Sequence, residues 1–445
     1  MRADATLAWA LLRGSDRREW WRISLTAFGA LLATGLALSA VTVASVTGHT
    51  KVPYGNGLLD GPATRAGVVV ALLGLLIPVL GFLGQCARIG AVHRDRRLAG
   101  LRLAGATPAQ VRRIAALESG LACLAGTVLA LCGFLVLLLA ATHTARPPLV
   151  WLGYALVVLA VPVLAVLVSL LALRRIVASP LGPVRRVRPE RSRTGAAFTA
   201  TGMLAIGGTV AILLVSQRPS AALFPIVFLG ALALSGLAAV SIAGASAKFL
   251  GNRLADSSNP AVLIAAGRLR HDPWAASRTH AAVLLMTVAS VGFMGLWQLT
   301  RAELAAGASW ASNADFYLGG YHLTGLGILL GLVISLGALA VGTAESLATR
   351  RRALAAQAAA GVPQSVLRHA VLLESALPLA PAVLLAGIGG MGLYAAYASL
   401  MATVPMPLLL PLLTPLLVYA TCLLATAGTL PLLRRTVRPA ELRYE

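Results

Sequence analysis

The stretch Arg94-Asp95-Arg96-Arg97-Leu98-Ala99-Gly100-Leu101-Arg102-Leu103-Ala104-Gly105-Ala106-Thr107-Pro108, running on to Leu117-Glu118-Ser119, has a second version later in the chain. That version runs from Arg350-Arg351-Arg352-Ala353-Leu354 through Ala360-Gly361-Val362-Pro363 to Leu373-Glu374-Ser375. A constant offset of 256 places Arg94 on Arg350, Arg96 on Arg352, Gly105 on Gly361, Arg112 on Arg368, Glu118 on Glu374 and Ser119 on Ser375. A gapless match of this kind predicts an internal duplication. Each copy sits between two long apolar segments and reads as helix, break, helix. Residues 94–104 have no Pro and are rich in Leu, Ala and Arg, which favour helix. Gly105 suits the left-handed position just past a helix end. Thr107-Pro108-Ala109-Gln110 then reads as a new start, with Thr as N-cap, Pro first and Gln closing a capping box. The second copy keeps the break at Gly361-Val362-Pro363 but lacks the Thr cap.

The flanking segments decide the class. Of 445 residues 58% are hydrophobic and only 12% are charged, with a mean hydropathy of +0.83. Those values lie outside soluble globular usage and predict a polytopic membrane protein. A span needs about 20 apolar residues. Ten segments qualify, near 23–47, 66–87, 115–141, 149–173, 196–216, 221–245, 279–300, 324–345, 375–400 and 407–432. The last two are parted by the Pro-broken turn Thr403-Val404-Pro405-Met406-Pro407. Residues 1–22 mix Arg13, Arg17, Arg18 and Arg22 with Trp9, Trp20 and Trp21, which suits an interfacial helix. A signal peptide is the rival reading. It is rejected because Leu12-Arg13 and Trp20-Trp21-Arg22 find a similar passage in Leu269-Arg270, Trp274 and Arg278.

The net charge of +22 raises nucleic acid as a partner, but the placement of the charge answers it. With the N-terminus inside, 32 of the 37 basic residues fall in inside segments. Only Lys51, Arg65, Arg146, Arg218 and Arg301 fall outside. This asymmetry predicts both termini in the cytoplasm, loops facing anionic lipid, and no nucleic-acid partner. Residues 66–104, with Pro78 alone intervening, and 324–360, with no Pro, are each long enough for a helix of about 55 Å against a core of about 30 Å. Both are expected to run on into the cytoplasm, where the Arg-rich stretch turns the chain back. The longest outer loop is expected at 301–323, and neither it nor 48–65 can bury a core of its own.

The expected fold is all-α and polytopic, with about ten transmembrane helices. It divides into an N-terminal interfacial segment 1–22, a four-span repeat 23–173 and an Arg/Pro-rich cytoplasmic linker 174–195. A two-span connector 196–250, an interfacial segment 251–278, a second four-span repeat 279–433 and a tail 434–445 follow. Both repeats start on the same side, so they are parallel.

Catalytic motifs are missing. Lys51 and Lys248 are followed by Val52 and Phe249, so neither belongs to a P-loop. There is no H-E-x-x-H, and Gly244-Ala245-Ser246-Ala247-Lys248 fails the nucleophile elbow at its last position. The four cysteines form no CxxC pair and lie in or beside apolar segments, so they read as small apolar filler and no metal site is expected. Glycine runs such as Gly387-Ile388-Gly389-Gly390 read as close helix packing. The intramembrane acids are Glu118, Glu345 and Glu374. A carboxylate there is a candidate proton or substrate site. The structural alternative pairs Glu118 and Glu374 with the nearby Arg112, Arg113 or Arg368, and their equivalence in the repeat favours a structural or coupling role.

Arg96 in a Leu-rich helix, then Arg102-Leu103-Ala104-Gly105-Ala106, then a helix reaching Glu118-Ser119, resembles the FtsX-like ABC transporter permeases. Arg352, Gly361 and Glu374 repeat the resemblance, and the ten-span layout is most similar to the bacitracin-permease type. The chain departs from the family pattern at Arg97 and Ala353, where an acid is usual, at Ala358, where the first copy has Arg102, and in its short outer loops. The resemblance implies a non-enzymatic bacterial permease subunit in the cell membrane, with no cofactor of its own. ATP and Mg would be used by a separate ATPase, two copies per permease. It implies ATPase coupling through Arg94, Arg96, Arg102, Gly105, Ala106, Arg350, Arg352 and Gly361, and efflux or extraction of an amphipathic peptide antibiotic or lipid. The alternative functions are a mechanotransmitter that relays ATPase cycling to a membrane or external partner such as a sensor kinase, and a proton-driven transporter using the three acids.

Overall fold

The computed structural model describes residues 17–52, 57–86, 100, 103–141, 148–177, 224–308 and 313–433. The described residues are helical, with no strand among them. The helices are α1 (Arg17–Ala44), α2 (Pro62–Cys86), α3 (Pro108–Ala141), α4 (Pro148–Val177), α5 (Phe224–Arg253) and α6 (Pro260–His271). Then come α7 (Pro273–Ala305), α8 (Ala314–Thr349), α9 (Arg351–Ala359), α10 (Gln364–Met401) and α11 (Leu409–Thr429), closed by a 3₁₀ turn Leu430–Leu432. Pro62, Pro108, Pro148, Pro260 and Pro273 each open a helix, where a missing N–H removes no intrahelical bond.

Eight of these helices carry a stretch long and apolar enough to cross a membrane: α1, α2, α3, α5, α7, α8, α10 and α11. The chain is a multi-pass membrane protein. The fourth expected span, 149–173, falls on α4, whose described apolar stretch Pro148–Leu164 is shorter. The fifth, 196–216, and the linker 174–195 beyond Val177 lie outside the described residues, as do the tail 434–445 and residues 1–16.

α8 departs from the sequence reading at both ends. α8 begins at Ala314, ten residues before the expected 324, so the outer loop expected at 301–323 is largely helix. Residues 314–323 hold no Pro, and Asp315 in the first turn suits the helix dipole. At its other end α8 does not run unbroken to residue 360. Arg350 (φ −100°, ψ 9°) leaves helical geometry and separates α8 from the nine-residue α9.

The chain forms two compact units, 1–47 with 75–190 and 48–74 with 191–445. In the first, α1 packs along α3, and α4 packs on both. Their core is Leu38, Val150, Tyr154 and Val157, backed by Leu131 and Phe134. Gly126 lets the helices meet closely: a methyl group there would lie 2.0 Å from the Ala27 carbonyl oxygen. In the second unit α7 is central and packs on α10, α5, α8 and α11. Val283, Leu284, Val288, Leu339, Leu379 and Ala386 lie at its core. The glycine run of α10 faces three neighbours, with Gly387 against Pro415, Gly389 against Ser235 and Gly390 against the Val288 carbonyl. Small residues let helix backbones approach where water supplies no driving force between them.

Candidate functional site: the helix breaks and their ion pairs

Both helix breaks are built as their local chemistry dictates. Gly105 has φ +96° and Gly361 has φ +90°, a region that only glycine enters without steric penalty. After Gly105 the capping box is complete. The Thr107 N–H donates to Gln110 Oε1 (2.8 Å), and the Gln110 N–H donates to Thr107 Oγ1 (3.3 Å). After Gly361 the N-cap of α10 is Pro363, which makes no side-chain capping bond. There the turn is closed by backbone bonds, Gly361 N–H to Ala358 O (3.0 Å) and Val362 N–H to Gln357 O (3.1 Å). The short α9 is held by burial of Leu354 against Leu347, Leu367, Val371 and Leu433.

Glu118 and Glu374 both sit in ion pairs. Glu118, on α3, pairs with Arg22 on α1, and both side chains are nearly sealed from solvent (5% and 9% exposed). Glu374, on α10, accepts both ends of the Arg350 guanidinium, Nη1 to Oε1 at 3.0 Å and Nη2 to Oε2 at 2.8 Å. That pair is less buried, with side chains 14% and 20% exposed. For Glu374 the partner is therefore Arg350 and not the expected Arg368. The reason is geometric: side chains six apart on one helix do not share a face, whereas those three or four apart do. Arg22 is a site residue the sequence reading counted only as part of an interfacial segment. Its signal was the offset, which places Arg22 on Arg278.

The Arg350 pairing also accounts for the break between α8 and α9. Its Nε donates to the Ser346 carbonyl (3.2 Å) while its fork reaches across to α10. Bidentate Arg–carboxylate geometry fixes direction as well as distance. On α10, Pro378 removes the N–H that would meet the Glu374 carbonyl, so the helix is locally relieved of one bond beside the pair. His280 is buried on α7 and its Nδ1 lies 3.2 Å from Thr279 Oγ1.

The remaining site residues fall as follows. Ala106 is half-buried and Gly361 is exposed. Arg352 is exposed on α9, and Glu345 is half-buried on α8. Arg94, Arg96 and Arg102 lie outside the described residues. Among the described residues no three His, Cys, Asp or Glu side chains converge as a metal site would require.

At the opposite end of the second unit the chain is pinned again. Glu303 of α7 accepts from the Thr403 N–H (2.6 Å), the Thr403 hydroxyl (2.5 Å) and the Val404 N–H (3.2 Å), holding the turn between α10 and α11. Gln298 accepts from the Leu410 N–H (3.3 Å), and Tyr394 donates to the Pro407 carbonyl (3.1 Å). In the first unit the corresponding tie is Thr42 to the Tyr154 hydroxyl at 2.9 Å. Adding 256 to 42 and 154 gives 298 and 410. Arg65, counted among the outer cations, is 3% exposed and donates to the Gly48 carbonyl and to Thr50 Oγ1, shaping the loop before α2.

A long helical membrane protein with an Arg-rich helix-break-helix between two apolar helices is the class these features define. Residues 68–181, which contain the first break and the ion-paired Glu118, match the family of the FtsX-like permease C-terminal domain. That match supports placing the chain among the FtsX-like permeases, as its motifs indicated. No curated protein matches this chain.

Proposed function

We propose that this chain is the transmembrane subunit of an ABC-type transporter, coupling ATP hydrolysis by a separate ATPase to export or extraction of an amphipathic substrate. The observation that carries the reading is the match over 68–181, because it covers the first Gly105 break together with helices on both sides of it. Permeases of this family generally work with ABC ATPase partners. In this reading the two breaks are docking points, one per ATPase. Arg94, Arg96, Arg102, Gly105 and Ala106 serve the first, and Arg350, Arg352 and Gly361 the second. Glu118 and Glu374 anchor those docking points to α1 and to the end of α8.

The reading includes ten spans in two parallel repeats, with both termini in the cytoplasm and the protein in the cell membrane. The equivalent ties Thr42–Tyr154 and Gln298–Leu410 support the repeat. So does the pairing of both Glu118 and Glu374 with arginine. Rigid helices from the breaks to the far turns offer a path by which ATPase closure reaches the outer side.

Co-purification of the full chain with candidate ATPase subunits from the same cell tests this. A complex with two ATPases, weakened by Gly105→Val, Gly361→Val and Arg352→Ala, is the expected result. If no ATPase binds, or the three variants bind normally, the breaks are plain hairpins and the ABC reading fails. A transcriptional response to a membrane-active antibiotic without resistance would move the function to sensing.

A further inference from the structure

Nothing in the local sequence ends α8 at Thr349. From Thr343 to Ala360 the chain has no Gly and no Pro, and from Leu347 on it is dominated by Ala, Leu and Arg, which favour helix. Sharp helix kinks are almost always traced to Pro, to Gly/Ser pairs, to π-bulges or to a side chain or water entering the hydrogen-bond ladder. A side chain enters it here. Arg350 Nε donates to the Ser346 carbonyl (3.2 Å), the acceptor of its own backbone N–H in a regular helix, while Nη1 and Nη2 hold Glu374 of α10 at 3.0 and 2.8 Å. The bend is therefore imposed on α8 by one ion pair, against the local preference, and such conflicts are expected at functional sites. The apolar face does not require it. Leu347 and Leu354, both buried, are seven residues apart and share one face of a continuous helix as well.

The first unit satisfies the equivalent acid differently. Glu118, which the offset places on Glu374, takes Arg22 of α1. The same offset places Arg22 on Arg278 of α7, and Arg94 on Arg350. α7 packs along α10 as α1 packs along α3. The repeat thus offers Glu374 two arginines, one at the break and one on the neighbouring helix. Each unit shows one of the two choices, the neighbouring helix in the first and the break in the second. With its side chain only 14% exposed, the Glu374 carboxylate is held by a cation, and its release from Arg350 calls for another.

We propose that Glu374 is a two-position switch. In the observed state it holds Arg350 and bends α9 away from α8. In a second state it takes Arg278, as Glu118 takes Arg22, and α8 and α9 join into one helix that starts at Ala314 and runs to the second break. The nine residues of α9, about 14 Å long, then move as an extension of α8. The purpose of the switch rests on the functional reading: an ATPase docked at the second break selects between the bent and the joined helix, and that choice is carried along α8 to its outer end.

Hydrogen exchange of the full chain in detergent, with no ATPase present, reads the switch. α9 starts at Arg351 without a side-chain cap, so the N–H groups of residues 351–353 have no turn before them to bond to. In the joined helix they bond to the carbonyls of residues 347–349. Arg350→Ala is expected to slow their exchange by about tenfold. Glu374→Gln, which leaves no unpaired carboxylate and so keeps the chain folded, is expected to slow it in the same direction. Thermal unfolding then tests the second position. Arg278→Gln should lower Tm more in the Arg350→Ala background than in the native chain, because only there does Glu374 depend on Arg278. Unchanged or faster exchange of these amides in the folded variants, or equal Tm losses in the two backgrounds, overturns the proposal. Both readouts use this chain alone, so failure of the ABC reading leaves them unaffected, and failure of the switch leaves ATPase docking at the breaks to be judged by co-purification.

Discussion

The α1–α3 pair of the first unit and the α7–α10 pair of the second are related by the 256-residue offset, and they resemble each other at their ends more than in their middles. At one end the equivalent acids Glu118 and Glu374 each take an arginine, from α1 in the first unit and from the end of α8 in the second. Toward the other end Thr42–Tyr154 ties α1 to α4 and Gln298–Leu410 ties α7 to α11, equivalent positions joined by different chemistry. Between them the helices meet at different depths. In the first unit the glycine that meets the facing backbone is Gly126, against Ala27, eight residues along from Glu118. The equivalent residues Ala382 and Val283 are fully buried in the second unit and leave room for the methyl group. There the glycine that meets the facing backbone is Gly390, against the Val288 carbonyl, eight residues further on, about 12 Å along the helix. The first unit has Phe134 at that register, packed on Tyr154 of α4 at 5.4 Å between ring centroids. The equivalent ties and the shifted glycine contacts teach that polar ties and close backbone approaches are set independently.

The largest effect is expected from breaking that parallel at its ion pairs. Glu118→Ala leaves Arg22 buried without its partner and should cost about 3–5 kcal/mol. Glu374→Ala, at the more exposed pair, should cost about 2 kcal/mol, between buried and surface limits. Thermal unfolding of the purified chain in detergent measures both, and equal shifts would mean burial does not separate the two pairs. Exchanging charges in Arg22→Glu with Glu118→Arg should recover part of the loss.

Crossing depth is the next contrast. Gly126→Ala drives a methyl group into the Ala27 carbonyl and should cost about 3 kcal/mol, whereas Ala382→Gly should cost about 1 kcal/mol through cavity and backbone entropy. The same unfolding assay checks this, and a silent Gly126→Ala would place the real crossing elsewhere.

The breaks themselves are expected to behave alike. Gly105→Ala and Gly361→Ala each force a side chain into positive φ and should cost about 1–2 kcal/mol. ATPase binding should fall in both, which a pull-down reads directly. The smallest effect sharpens the one asymmetry of the breaks. Thr107→Ala removes a working N-cap and should cost about 1 kcal/mol, while Pro363→Ala should be within about 0.5 kcal/mol because no capping bond is lost. Hydrogen exchange in the first turns of α3 and α10 measures the difference.

Much of the site was legible because its signals are local. The Gly105 and Gly361 breaks follow from left-handed backbone, and the Thr107–Gln110 box from two side chains three residues apart. Partner choice was not local. Glu374 looked to Arg368 because they are near in sequence, but the helix turns them to different faces and brings Arg350 across instead.

By itself the sequence determined the helical class, the apolar segments, the two breaks and the asymmetry of their caps. Each depends on hydropathy or on groups within one helical turn. Only the tertiary structure decided that Arg22 holds Glu118, that Arg350 ends α8 by reaching Glu374, and that the two helix pairs cross at different depths. Those outcomes depend on which faces meet and on the room left by Gly126, Phe134 and Gly390, which packing alone sets.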